Sequence, residues 1–211
     1  MDHRGARPGE LVQATTVIPS RSDIQPNADR PVTLLDEYTT LCSTPSDIHM
    51  HLPRFVQFVR ELDAQHVLEL GTRTGVSTIA WLYGLEFTGG KLTSIDIDEQ
   101  PAIGEHDAWT FIQGSDLDPA VVSQLEPAEI VFIDTSHTYE QTRAELALYR
   151  HLVKPGGVML LHDTELMCPL DSPPSDPVYP VRVAMLEFCA AEGLEHELVR
   201  ENNGLGIIRI G

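Results

Sequence analysis

The stretch IVFIDTSHTYE, residues 130–140, runs from four apolar residues straight into a carboxylate, Asp134, with an imidazole, His137, three residues later. An apolar run of this kind reads as a buried strand, so Asp134 stands at a strand end. Aspartate and histidine so placed can do chemistry. A carboxylate can hold a polar or cationic group, and an imidazole exchanges a proton near neutrality. The plainer reading is that Asp134 caps the following helix.

A second set lies upstream, in VLELGTRTGVST, residues 67–78. It reads as strand, glycine turn and helix. In an open α/β sheet, ligands bind at the carboxyl ends of the strands. Gly71 and Gly75 let the backbone pass close to a ligand there. The helix starting near Val76 points free N–H groups at it, which suits an anionic group. The GxGxxG pattern of a dinucleotide site fails, because position 73 is Arg and position 76 is Val. A purely structural glycine turn is the plain alternative. The next strand ends in SIDID, with Asp96 as a candidate acceptor for the paired hydroxyls of a ribose and Asp98 as its rival. The third ends in FIQGSD, which brings Ser115 and Asp116 to the same sheet edge. Asp116 can accept from an adenine amino group, or cap a helix before Pro119.

The elements that must position these residues follow from periodicity. Leu52, Phe55, Val56, Val59 and Leu62 predict a helix from about Asp47, with Pro53 in its first turn. Apolar strands at 66–70, 92–95, 109–113, 130–133 and 158–161 alternate with helical segments at 76–84, 118–125 and 138–153. This alternation predicts an α/β fold: a Rossmann-like, doubly wound, mostly parallel sheet with helices on both faces. A proline-rich loop at 166–180 precedes a helix bearing Val181, Ala184, Met185, Phe188 and Cys189. Two strands around Asn202–Asn203–Gly204 then close a seven-stranded sheet with an antiparallel hairpin. Residues 1–31, with four prolines, read as a poorly ordered arm, with a short extended piece at 11–18. Residues 32–211 form the single domain. His49 and His51, flanking a helix start, read as surface residues.

These motifs together resemble the class I S-adenosylmethionine-dependent methyltransferases, over about residues 45–211. The spacing Glu69-x-Gly71-x-x-x-Gly75 is similar to their cofactor loop. The stretch FIDTSHTYEQTRAELALYRHLVKPGGVMLLHD resembles, more narrowly, a small-molecule O-methyltransferase group that includes macrolide-sugar methyltransferases and relatives of cephalosporin-biosynthesis enzymes. The resemblance implies S-adenosylmethionine as cofactor, held by Glu69, Gly71, Thr72, Arg73, Gly75, Ser77, Asp96, Ile97, Ser115 and Asp116. Glu69 is expected near the amino-acid part of that ligand. It further implies a divalent metal, magnesium or manganese, on Asp134 and on a pair ending the fifth strand. That pair is here His162–Asp163, with histidine where the family has glutamate. A mixed nitrogen and oxygen shell suits manganese, iron or zinc better than magnesium. His137 falls at the family's candidate general base, and Asp134 shares the catalytic role. The implied reaction is methyl transfer to a hydroxyl of a small molecule such as a sugar or natural product. A dinucleotide-dependent oxidoreductase and a non-catalytic cofactor-binding protein are the alternatives.

Composition narrows the partners. The 211 residues carry 14 basic and 32 acidic side chains, a formal charge of -18. Such a chain repels phosphate backbones and anionic membranes, so neither nucleic acid nor membrane is an expected partner. Three scattered cysteines suggest no disulfide framework and fit a reducing cytoplasm. No apolar run reaches the ~20 residues of a membrane span, and the N-terminus lacks a signal peptide's apolar stretch. A second copy of the chain is the expected macromolecular partner, giving a homo-oligomer that helps close the acceptor pocket.

Overall fold

The computed structural model describes residues 31–168 and 175–211. The arm expected over residues 1–31, with its extended piece, lies outside them except for Pro31, as does part of the proline-rich loop. Helices α1 (Leu34–Ser43) and α2 (Leu52–Glu61) precede β1 (His66–Leu70) and α3 (Val76–Leu85). Then come β2 (Lys91–Asp96), β3 (Trp109–Gln113), α4 (Pro119–Val122) and β4 (Ala128–Ile133). The chain continues through α5 (Tyr139–Tyr149) and β5 (Val153–His162) to α6 (Pro180–Glu192), β6 (His196–Val199) and β7 (Leu205–Arg209). The sheet has seven strands in the order β3-β2-β1-β4-β5-β7-β6. Only β7 runs antiparallel, against both β5 and β6.

The strand order reverses between β1 and β4. Helices that follow the strands on either side of this point cover opposite faces, which leaves a crevice above the strand ends. All five residues of β1 are buried, as a strand covered on both faces requires. One face is packed by α2 and α3, where Phe55, Trp81 and Phe132 form an aromatic cluster with ring centroids 4.3–5.6 Å apart. The other carries α5 and α6 over Leu68, Val131, Met159 and Ile208. Asn202, Asn203 and Gly204 all take positive φ in the turn between β6 and β7, as that tight turn demands. Among the described residues, no helix is long and apolar enough to cross a membrane.

One added helix and several boundaries differ from the periodicity: α2 starts at Leu52 rather than about Asp47, and α4 spans only Pro119–Val122 rather than 118–125. Helix α1 was not apparent, although Leu34, Tyr38, Leu41 and Cys42 stand at helical spacing and pack half-buried against the core. Its signal was local: Thr33 and Asp36 form a reciprocal capping box. Helix α5 stops at Tyr149 because residues 150–152 tighten into a 3-10 turn. Strand β5 starts early, because Val153 already pairs with Ala128 before an irregularity in the ladder.

Gly71 shows how tightly the crevice floor is built. Its φ is +86°, and a Cβ there would lie 2.0 Å from the Asp134 carbonyl oxygen. The obstacle is therefore the backbone after β4, not a ligand. Gly156 has φ +80° but open space around it. Gly71→Ala should cost at least about 2 kcal/mol, or about 4–8 °C in Tm. Gly156→Ala should cost only the left-handed strain, about 1 kcal/mol. Thermal melts of the two variants check this, and equal losses would contradict it.

Candidate active site

A cavity of about 430 Å³ opens above the strand ends at the switch point. Gly71 to Thr74, Val76 and Ser77 form its floor, with Asp96 to Asp98 and Gly114 to Asp116 at one end. Asp134 to His137, Gln141 and Asp163 line the other walls, and Asp47 and Ile48 cover it from the segment before α2.

The glycine loop is held by Asp96. Its Oδ2 accepts from the Thr72 backbone N–H at 2.7 Å, the Arg73 N–H at 3.0 Å and the Thr72 hydroxyl at 3.0 Å. Its Oδ1 accepts from the Asp98 N–H. Partial burial raises the Asp96 pKa, but these donors outweigh it and hold the carboxyl below the usual range. The carboxylate is thus ionised and fixed at the cavity edge, half-buried, as hydroxyl recognition needs. Ile97, beside it, is exposed on the cavity rim. Arg73 takes a positive φ of 47° and pairs with Asp47 at 3.2 Å, so it ties the loop to the covering segment.

Glu69 corrects an expectation. It is fully buried and does not line the cavity. Ser77, Thr78 and Ser94 donate to its two oxygens at 2.6–2.9 Å. Trp109 in turn donates to Ser94. Burial pushes the Glu69 carboxyl up to about 7, against the pull of the three hydroxyls. Glu69 therefore pins the start of α3 and strand β2 beneath the loop. Gly75 is likewise outside the lining. Its φ is +83°, and a Cβ would meet Ile103 at 2.5 Å.

At the other end the predicted trio converges. One ligand atom each from Asp134, His162 and Asp163 lies within 4.8 Å of the others. His137 joins them: its Nε2 stands 3.2 Å from Asp134 Oδ1 and 2.8 Å from Asp163 Oδ2. It does not sit a helical turn onward, as its spacing suggested. Helix α5 begins later, with Thr138 as N-cap, and His137 bends back through a φ of +58°. Asp134 is thus no cap, and neither is Asp116, since Asp118 caps α4. Asp163 is also left-handed, with φ +62°. A buried non-glycine residue in that region is strained, and such strain persists where surrounding contacts hold it.

His162 offers a test of metal fit. Its Nε2 faces the backbone oxygens of Asp47 and Asn202, at 3.1 and 3.3 Å. Carbonyls only accept, so Nε2 carries a proton. Nδ1 then points at two carboxylate oxygens, 3.4 Å from each, without a directed hydrogen bond. Asp163 Oδ1 is buried and unpartnered as well. A lone pair aimed at carboxylates suits either a second proton or a shared cation, so the donor set fits a divalent ion. Behind this pair lies His51, which is buried and not on the surface as expected. Its ring packs edge-on against His162 with centroids 5.7 Å apart. Its tie to the Asn202 carbonyl could not be seen in spacing, because 151 residues separate the two.

The charges in this cluster shift together. Burial lowers the His137 pKa, but the facing Asp134 and Asp163 carboxylates override it and push it up to about 9. The same pair pushes His162 up to about 10 against its burial. Burial raises both carboxyls, yet the imidazoles hold Asp134 and Asp163 below their usual range. With folded-state values above the unfolded 6.5, the histidines stabilise the fold fully below about pH 6.5. That contribution is lost as pH rises through about 9 and 10. In chelator-treated protein, stability should therefore fall on the order of 2 kcal/mol from this source between neutrality and pH 10. His137→Gln should flatten the fall. Denaturant titrations at several pH values check it, and an identical slope in the variant would contradict it.

Comparison with known proteins places this geometry. Residues 68–164 match a family model described as a methyltransferase domain. The O-methyltransferase ankF of Aspergillus thermomutatus is 26% identical over 110 residues, covering 48% of this chain and 46% of its own. The rhamnosyl O-methyltransferase of Mycobacterium leprae is 27% identical over 124 residues, covering 53% of this chain and 54% of its own. The chain thus spans about half the length of the curated relatives it matches. Among solved structures, the O-methyltransferase from Bacillus cereus in complex with SAH superposes with TM-score 0.64 at 21% identity, covering 88% of this chain and 94% of that one. MycE methyltransferase from the mycinamycin biosynthetic pathway, in complex with Mg and SAH, gives 0.64 at 21% identity over 84% of this chain and 55% of that one. With a methyltransferase domain matched across its glycine loop, β4 and β5, and this strand order, the chain has the fold of the class I S-adenosylmethionine-dependent methyltransferases.

Proposed function

We propose that the protein transfers the methyl group of S-adenosylmethionine to a hydroxyl oxygen of a small molecule, a sugar or natural product. The observation that carries this reading is one continuous cavity with two chemically different ends. The end at Asp96 and Asp116 offers fixed acceptors for ribose hydroxyls and a purine amino group. The end at Asp134, His137 and Asp163 handles protons. The named activities of the relatives, O-methylation and, for the mycobacterial proteins, methylation of a rhamnosyl group, support the same reading.

The sulfonium is already an activated donor, so the protein's task is alignment and proton removal. The Gly71–Thr74 turn and the start of α3 hold the donor's amino-acid end. Asp134 and Asp163 hold the acceptor side. The acceptor oxygen attacks the methyl carbon, the carbon–sulfur bond breaks, and its electron pair stays on sulfur as a thioether. The hydroxyl proton leaves to His137 Nε2. A divalent ion on Asp134, His162 and Asp163 would supply Lewis acidity that lowers the hydroxyl's pKa.

The cluster modifies the role expected of His137. An ordinary imidazole, near 6.5, is ready to accept a proton at neutrality. Held by two carboxylates, His137 is pushed up to about 9 and is an imidazolium at neutral pH. As a base it must first lose that proton. In metal-free protein, turnover should therefore rise with pH through about 9 rather than near 6.5. His137→Ala should lower turnover about 100- to 10,000-fold and leave affinity for S-adenosylhomocysteine nearly unchanged. Single-turnover rates and calorimetry on the same variant separate the two. Wild-type turnover in the variant would remove His137 from the chemistry. Binding of NAD without response to S-adenosylhomocysteine would overturn the cofactor reading itself.

A further inference from the structure

At the nucleoside end of the cavity, Asp116 belongs to an acidic pair whose other member, Glu145, the mechanism does not use. Glu145, on α5, is completely buried. Its Oε1 accepts from the Thr135 hydroxyl at 2.6 Å and from the Gln141 side-chain amide at 2.9 Å. Its Oε2 is buried with no hydrogen-bond partner. The same Gln141 nitrogen also reaches Asp116, at 3.1 Å to Oδ1 and 3.4 Å to Oδ2. Asp116 is only 6% exposed. Among the described residues, neither carboxyl forms an ion pair or hydrogen bond with a cationic side chain. The titratable groups facing Glu145 are Asp116, from the turn after β3, and Tyr149, on its own helix. Tyr149 gives its hydroxyl proton to the Asp116 backbone carbonyl, at 2.8 Å, and so not to either carboxyl.

The proton count forces a conclusion. One amide nitrogen has two hydrogens, and it is shared by two buried carboxyls. Two ionised carboxylates without a cation repel strongly in such a place, so one of them holds a proton. Glu145 is the more deeply buried, and its Oε2 is the orphan that a proton would convert into a donor. We infer that Glu145 is an un-ionised acid at neutral pH that donates to Asp116, and that this proton positions Asp116 and Gln141 for the purine of the cofactor; the second half rests on the cofactor reading above. Burial and the facing Asp116 push Glu145 up to about 8. Above that value the pair would repel and the purine end of the cavity would open. Glu145 touches no ligand itself. It is a positioning residue, reaching the cavity through Gln141 and Asp116.

Adenosine is the suitable probe, because it carries no group that titrates between pH 6 and 9.5 and does not reach the histidine cluster. Its dissociation constant in the wild-type protein should weaken about tenfold between pH 7 and pH 9. In Glu145→Gln, a neutral donor at every pH, binding at pH 7 should stay within about threefold of wild type and the pH dependence should vanish. The infrared difference between wild type and Glu145→Gln at pH 7 should contain the carbonyl stretch of an un-ionised carboxylic acid, over the contribution of Glu69 that both proteins share. Melting temperatures across the same pH range confirm that folded protein is being measured. A flat wild-type profile, a parallel fall in Glu145→Gln, or no infrared difference band would overturn the inference. If the band is present but neither adenosine nor S-adenosylhomocysteine binds at any pH, the cofactor reading fails while the proton on Glu145 stands.

Discussion

The site depends on one close approach, that of the Gly71 backbone to the carbonyl of Asp134. The Asp134 N–H donates to Leu70, and the Gly71 N–H donates to Ile95. Three adjacent strands, β2, β1 and β4, are thereby locked together at their carboxyl ends. The same lock sets the glycine loop, which would face the methyl donor, beside the aspartate that would face the acceptor. Any side chain at position 71 would push these apart. Proximity of this kind is worth more to a transfer reaction than any single contact.

From that point the strain in the backbone becomes intelligible. Arg73, His137 and Asp163 are all non-glycine residues with positive φ, and they follow β1, β4 and β5. Each belongs to a segment that leaves a strand at the cavity and turns back over it. His137 and Asp163 are held in place by each other, and Arg73 by Asp47. The charge cluster thus serves two ends at once, since the ion pairs that offset backbone strain also determine where a proton sits. The cost falls on His137, which is too basic at rest to be an ordinary catalytic base.

Much of this was legible in the sequence, and the exceptions have physical reasons. Buried parallel strands leave continuous apolar runs, so β1, β4 and most of β5 were readable, and Asp134 and Asp163 at their ends came with them. The hairpin was readable from Asn202–Asn203–Gly204. Helix α1 was not read, although Leu34, Tyr38, Leu41 and Cys42 form a short stripe on it that is only half-buried against the core. Glu69 was placed against the ligand, since an acid before a glycine loop looks exposed to it; its three hydroxyl donors come from β2 and α3, which local spacing does not reveal. The contacts of His51, Gln141 and Glu145 join segments distant in the chain. Gln141 and Glu145 stand four apart on one helix face, a spacing that could have flagged a shared partner but could not name Asp116.

A crystal structure with S-adenosylhomocysteine tests the account most directly. The ribose should lie against Asp96, the purine amino group against Asp116, and the thioether sulfur should face the cluster of Asp134, His137 and Asp163. Density for the nucleoside in the reverse orientation, or outside this cavity, would contradict it.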